Sequence, residues 1–484
     1  MESCTVLLNA LLRLKDSRGG SLSGLSDAEI EQVFHETQST REERAKQAVN
    51  NAHKMQGLFA NESPALTAFV QKVLQPLVGD DGILVMMAGD YLPGVRIDKL
   101  PVPHRPRVLP FHDELPARRI NDSTHNLVRG AFVGSMGLTM FLTKRAFRPP
   151  LDAVWSWMAE NSVSLKWFGN SEASKVLGTL SSIFAVGAQD PGTNLHLWSF
   201  LPQLISPILI FTIEGYRRGN AATPLVLPSL FNAGMQVQGI GRMAPLHAVL
   251  SAFFPSSGPA GRPIPLEVAR SLIPAVTLGF LIPTIMLLAT NHNKAAWFNW
   301  VALWQFAPPM VNVLTYLFSK GLKKWDSTSD DVKQEEKKIS AKDELVRDVA
   351  TLKSVYIYAF AVQATAHIAT MAYGWHHTGL SLADIFFKFP TPFNPDWKLP
   401  SLTAQLSSFF KYNMAFAVAG YVGGNLFSIW DLRRQGYVKT REAVTAALSV
   451  VAGQFLVGPG ATWAGLWYWR EDKVAEIGKV TGVE

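Results

Sequence analysis

Beyond residue 126 this chain holds long stretches without one charged side chain: 271–290, 296–318, 412–430 and 443–469. An uncharged apolar run of about 18 residues or more is long enough to cross a bilayer as a helix. Several such runs in one chain predict an all-α, polytopic membrane protein. Charged residues are only 17% of the total, below the roughly 25% of soluble proteins. The deficit is concentrated in those runs, and residues 1–126 are charged in the ordinary way. The lone cysteine, Cys4, excludes an internal disulfide framework and a multi-cysteine zinc site.

Residues 1–126 read as a small soluble helical region. Positions 6–14 have helical apolar spacing, and Gly19–Gly20 stops the helix. Ser26 or Asp27 caps the next one, which runs through Glu29, Ile30, Val33 and Phe34. Residues 38–53 are rich in Glu, Arg, Lys and Ala, as a solvated helix surface is. A further helix is expected across 66–77. Pro101, Pro103, Pro106, Pro110 and Pro116 then make a stiff linker.

Seven spans are expected near 127–143, 195–213, 271–290, 296–318, 354–373, 412–430 and 443–467, leaving 471–484 as a short polar tail. Residues 224–254 are apolar but broken by Pro224, Pro228, Gly234, Gly239, Gly241 and Pro245. They predict one broken hairpin, which membrane depth tolerates only where it faces protein or a cavity. Residues 176–188 are too few to span and read as interfacial or re-entrant. The total expected is seven to nine crossings.

The net charge is +7, and much of it lies in short loops beside apolar runs. That is the pattern of membrane orientation signals rather than of nucleic-acid binding. Arg217–Arg218, Lys320–Lys324, and Arg433–Arg434 with Lys439 and Arg441 are expected on the cytosolic side, together with residues 1–126. Lys144, Arg145 and Arg148 fall on the far side of this scheme. The first span serves as the membrane address, and the endoplasmic reticulum is the expected membrane. Residues 319–348 read as a solvated loop.

Two resemblances add to this reading. The segment LLNALLRLKDSRGGSLSGLSDAEIEQVFHETQSTREERA, followed by RIDKLPVPHRPRVLPFHDELPARR, resembles the C-terminal part of fungal flavin-dependent monooxygenases of secondary metabolism, over about residues 4–119. In that family the first of these helices follows a glycine-rich motif that touches the flavin. No G-x-G-x-x-G occurs here, so the chain is expected to hold FAD only if an upstream flavin domain belongs with it. The segments LISPILIFTIEGYRRGN, PSLFNAGMQVQGIGRMAPLHAVLS and ALWQFAPP resemble fungal membrane-bound terpene cyclases of the ascofuranone and ascochlorin type, over about residues 127–470. That resemblance implies cyclisation of a prenylated aromatic or polyketide whose terminal epoxide a flavin monooxygenase has made. The implied partners are membrane lipid, a hydrophobic prenylated substrate and an upstream flavin epoxidase. A membrane-anchored, truncated flavin monooxygenase and a transporter are the alternatives.

Opening an epoxide to start a cation cascade needs a proton donor, a dry cavity and electron-rich faces. Ionisable groups at membrane depth are expensive and become candidates by default. Glu214 ends the run 195–213, three and four residues before Arg217 and Arg218, so a helix puts those arginines on its face. They favour its ionised form, which weakens it as a proton donor and suits it to orienting substrate or supplying counter-charge. Arg242, His367 and Asp384 are further catalytic candidates, and Asp384 would stand at a cavity mouth. Arg217, Arg218, Asn232, His247, Trp300 and Trp304 are candidate substrate contacts, the two tryptophans sharing a helix face. Asp431 reads as an interfacial ion pair with the arginines after it. Trp463, Trp467 and Trp469 read as an interfacial belt. His376–His377 with Asp384 matches no metal motif, and no metal is expected.

Overall fold

A computed structural model describes residues 2–74, part of 95–99, 117–254 with short gaps, 258–289, 294–328, 344–389 with one gap, 399 and 401–481. The proline-rich linker lies outside the described residues. The chain divides into two compact units, Met1–Glu114 and Leu115–Glu484.

In the first unit α1 (Glu2–Ser17) packs on α2 (Asp27–Phe59), burying Val6 and Ala10 against Val33. Gly19 and Gly20 take positive φ where α1 ends. Ser26 and Glu29 form a full capping box: the Ser26 hydroxyl accepts from Glu29 N, and Ser26 N donates to Glu29 Oε2 at 2.8 Å. A short α3 (Pro64–Phe69) continues as a π turn, Val70–Leu74, within the stretch expected to be helical, whose residues 75–77 lie outside the described residues.

The second unit is helical throughout, apart from a four-residue extended segment, Trp167–Asn170, among the described residues. Its helices are α4 (Asp122–Ala146), α5 (Leu151–Glu160), α6 (Glu172–Gly187), α7 (Pro191–Phe200) and α8 (Ile205–Tyr216). There follow α9 (Pro228–Gln238), α10 (Ile240–Phe253), α11 (Leu266–Val276), α12 (Ile282–Ala289), α13 (Lys294–Trp304) and α14 (Ala307–Thr328). The set closes with α15 (Val349–His376), α16 (Leu382–Phe386), α17 (Leu402–Arg434), α18 (Thr440–Leu456) and α19 (Pro459–Thr481). Residues 115–126 belong to this unit, where Ala117 N donates to Gly436 O at 2.6 Å.

Fewer helices are long and apolar enough to cross a membrane than the seven to nine expected. Among the described residues there are three, Pro191–Tyr216, Leu266–Ala289 and Val349–His376. A fourth arises if the bent pair Ala296–Trp304 and Ala307–Ser327 counts as one span. The shortfall has local causes. The expected 224–254 hairpin is two short helices, α9 and α10, joined at Gly239 with φ +80°. α18 has only 17 residues. In α17 the apolar stretch shares its helix with Lys411, Asn413, Asn425, Asp431, Arg433 and Arg434. α14 runs on to Thr328, so part of the solvated loop expected from 319 is helix. The expected polar tail begins as the last turns of α19, where Val474 and Ile477 pack against Leu432 and Val438.

Several helices of the unit expose apolar side chains, while a charged cluster lies inside. α7 and α8 form one continuous path that is almost wholly buried. Val444, Leu448, Val451 and Phe455, spaced by helical turns, stand exposed on α18, as do Met310, Val313 and Leu317 on α14. Meanwhile Glu214, Arg217, Arg262, Asp348 and Glu471 are buried.

Candidate functional site

Glu214 sits in the last turn of α8. The Arg217 Nε donates to its Oε1 at 2.7 Å, so the three-residue spacing does put one arginine on its face. Arg218 turns the other way, half exposed, to Glu344 at 3.3 Å. The helix ends at Arg217, whose backbone is extended, and this sends the two side chains apart. Asn220 Nδ2 donates to the Glu214 backbone carbonyl at 2.8 Å and to Oε2 at 3.3 Å, and Trp467 Nε1 donates to Oε1 at 3.3 Å. Donors thus meet both carboxyl oxygens.

The pair is one end of a chain of alternating charges. Arg217 also donates to Glu471, which is fully buried, and to the Arg262 carbonyl at 2.6 Å. Arg262 grips the other Glu471 oxygen at 2.8 Å and Asp348 at 2.6 Å. Asp348 takes a further bond from Ile264 N at 3.0 Å. Five charged side chains from four parts of the chain thus satisfy one another away from water, the condition for tolerating buried charge. Sequence reasoning missed Arg262, Asp348 and Glu471. They lie in loops, at a helix start and in the expected tail, and nothing local marks them as interior.

Glu214 also lines a small cavity of about 60 Å³ with His247, Asp431, Trp463, Trp467 and Arg470. His247 stacks on Phe211, with ring centroids 4.2 Å apart, and meets Phe231 edge-on at 5.1 Å. Phe211 and Tyr421 both lean on Trp463, at 6.1 and 4.7 Å. Trp463 is only 5% exposed and Trp467 8%. The belt expected at these two positions is corrected: four residues apart on α19, both indoles are buried, Trp467 on Glu214 and Trp463 against Phe211 and Tyr421. Three buried polar atoms lining this cavity, His247 Nε2, Trp463 Nε1 and Arg470 Nη1, have no hydrogen-bond partner among the described residues. Unpaired buried donors are rare and mark a place for water or ligand oxygen. Asp431 pairs with Arg434 at 2.8 Å, as its spacing suggested, but buried at this cavity rather than at an interface.

The other candidates are scattered. Arg242 lines a second, larger cavity of about 960 Å³ together with Trp304, bonding Gln238 at 2.8 Å and Thr143 at 3.2 Å. Trp300, half buried, does not share that wall, whereas Trp304 is buried with its Nε1 on Thr284 at 2.9 Å. Asn232 is buried between Asn312 and Thr212. His367 lies under Phe455, its Nε2 at 3.1 Å from that carbonyl. Asp384 lines neither of these cavities. It is exposed near Lys388 at 3.4 Å, and the Ser381 hydroxyl and Lys388 hold its carboxyl below the usual range. No cluster of three or more metal-ligating side chains occurs among the described residues.

The fold and this site define a helical protein with a carboxylate, an imidazole and aromatic faces at one small cavity. The CtvD domain family matches residues 159–475, well over half the chain, and the chain belongs to that family. The FAD-dependent monooxygenase verC1 of Penicillium polonicum is 27% identical over 304 residues, covering 59% of this chain and 32% of that one. The terpene cyclase ctvD of Aspergillus terreus is 30% identical over 162 residues, 31% of this chain and 47% of the relative. The chain thus spans about a third and about half of the relatives' lengths. The first match is longer than residues 1–114, so it takes in residues of the second unit. No solved structure matches.

Proposed function

We propose that the chain is an integral-membrane terpene cyclase of fungal secondary metabolism, acting on a prenyl chain that carries a terminal epoxide. The reading draws on membership of the CtvD family and on the ascofuranone-type resemblance. One observation carries it: a buried carboxylate, Glu214, and an imidazole with an unpaired nitrogen, His247, share a small cavity with Trp463 and Trp467. In this reading the acid is His247 in its protonated form, which burial opposes and the Glu214 carboxylate favours, and its Nε2 proton passes to the epoxide oxygen as the C–O bond breaks. The cation left on carbon faces the indoles and the fixed negative charge of Glu214. Alkene electrons close the ring, and the final cation surrenders a proton that restores the imidazolium, so product and substrate are isomers. Glu214 serves as counter-charge because its oxygens are occupied by three donor side chains.

Membrane integration is supported by the apolar side chains left facing outward on α14 and α18, which a bilayer covers and water does not. The endoplasmic reticulum with a cytosolic first unit remains the orientation proposed. Microsomes containing the chain should convert an epoxidised farnesyl-phenol to a product of equal mass. His247→Phe and Glu214→Gln should each lower that rate by about 10²–10⁴-fold. Unchanged rates in both variants would remove the site assignment. A flavin monooxygenase activity is the second reading, favoured by the name of the longer-matching relative. Purified protein carrying flavin absorbance would favour it over the cyclase.

A further inference from the structure

The two cavities share two helices. α10 sends Ile240 and Arg242 into the large one and His247 into the small one. α17 sends Phe410 and Asn413 into the large one and Gly420 and Gly424 into the small one. The helices run the same way, because Gly241 N bonds Asn413 Oδ1 at 2.8 Å and the Pro245 ring lies against Gly420. From Arg242 to His247 is five residues, and from Asn413 to Gly420 is seven. At about 1.5 Å of rise per residue, the cavities sit roughly 8–10 Å apart along one seam.

The large cavity is walled mainly by apolar and aromatic side chains, among them Phe184, Phe200, Met235, Trp304 and Phe410. Trp304 meets Phe184 edge-on at 5.3 Å, and Phe184 meets Phe410 at 5.2 Å. Within this wall sits Gln305, 6% exposed, with its Nε2 lacking a hydrogen-bond partner among the described residues. It occupies the break between α13 and α14, where the helix axes turn by 62°. A buried amide donor left unpaired is costly, so the site calls for an acceptor. A volume of about 960 Å³ is at the large end for a small-molecule site. The ligand that fits is apolar along most of its length and brings one oxygen acceptor to Gln305. The Arg242 charge on the same wall favours an electron-rich oxygen.

We propose that this chamber binds the body of the substrate, an elongated prenylated ring or polyketide. Its ring or carbonyl oxygen accepts from Gln305 Nε2, and its distal epoxide reaches along the α10–α17 seam into the His247 cavity. The inference rests on the cyclase reading and adds the substrate's polar head and its direction of binding. It also explains how a cavity of about 60 Å³ serves a large molecule: only the reacting end enters it.

The test uses the full chain in lipid nanodiscs and a farnesyl-phenol bearing a diazirine on the phenol ring. Irradiation should label the peptide containing Gln305 or its neighbours on the chamber wall. Gln305→Leu, which removes the unpaired donor and should fold, is expected to weaken probe binding about 3–10-fold. Met235→Trp, which fills the chamber, should abolish labelling. His247→Phe should keep labelling while losing isomerisation of the epoxidised probe. Labelling indifferent to both Gln305→Leu and Met235→Trp would overturn the chamber even if the wild type isomerises the epoxide. Chamber labelling without any isomerisation would sink the cyclase reading and leave the binding site standing.

Discussion

Arg217 and Glu471 lie 254 residues apart in the sequence and meet as a fully buried ion pair. Through that pair the end of α8, which carries Glu214, is tied to the Arg262 loop, to the start of α15 at Asp348 and to α19. The same link fixes Trp467 against the Glu214 carboxylate. The orientation of the candidate counter-charge is therefore a property of the whole second unit.

Removing one member of this chain should cost far more than a surface ion pair does. Glu471→Leu leaves Arg217 and Arg262 buried with fewer partners, and a loss of roughly 3–5 kcal/mol is expected. Thermal unfolding in detergent measures it. Arg218→Ala, whose partner Glu344 is exposed, should shift the midpoint little, within roughly 1 kcal/mol.

Acid should loosen the same link. Burial alone would raise the Glu471 carboxyl, but the guanidiniums of Arg217, Arg262 and Arg470 outweigh it and hold it below the ordinary value of 4.5. A depressed folded-state value contributes stability that is present above the unfolded value and lost as pH falls through the folded one. Unfolding midpoints should stay level from neutral pH down to about 4.5 and fall below it. The Glu471→Leu variant should show a shallower acid decline.

The indoles lining the Glu214 cavity should matter to rate and product. A cation over an aromatic face gains about 0.5–2 kcal/mol, so Trp463→Leu is expected to slow cyclisation roughly 2–30-fold. Chromatography should show early-quenched or differently closed products in greater share. An unchanged rate and product profile would place the cation elsewhere.

The outward apolar stripe of α18 gives a membrane test. Alkaline carbonate should leave the wild-type chain in the pellet. Replacing Leu448 and Phe455 together by Asp sets two charges on an exposed apolar face, at roughly 2.5–3.5 kcal/mol each if it lies at mid-bilayer. The double variant should be poorly inserted or degraded, as membrane fractionation would read. Carbonate release of the intact wild type would remove the membrane reading.

Much of the local plan was legible because it rests on short-range rules. The Ser26–Glu29 capping box follows from side-chain reach across one turn. The break at Gly239 follows from a residue free to take positive φ. Glu214 and Arg217 follow from helical spacing. Reading the tryptophans of α19 as a belt failed because composition does not tell which face of a helix points inward. Trp463 and Trp467 share a face whether that face meets lipid or core, and only packing against Phe211, Tyr421 and Glu214 decides it.

The sequence by itself determined a helical chain, mostly apolar beyond residue 126, with a broken segment and a carboxylate–arginine pair at a helix end. These are consequences of periodicity, propensity and charge placement, which act over a few residues. Only the tertiary structure decided that Arg262, Asp348 and Glu471 close an ionic chain on that pair. It also sent Arg218 outward and set His247 beside Glu214, with Arg242 at a separate chamber along the same seam. Those outcomes depend on contacts between residues up to 254 positions apart, and no local pattern encodes which distant partner a buried charge will meet.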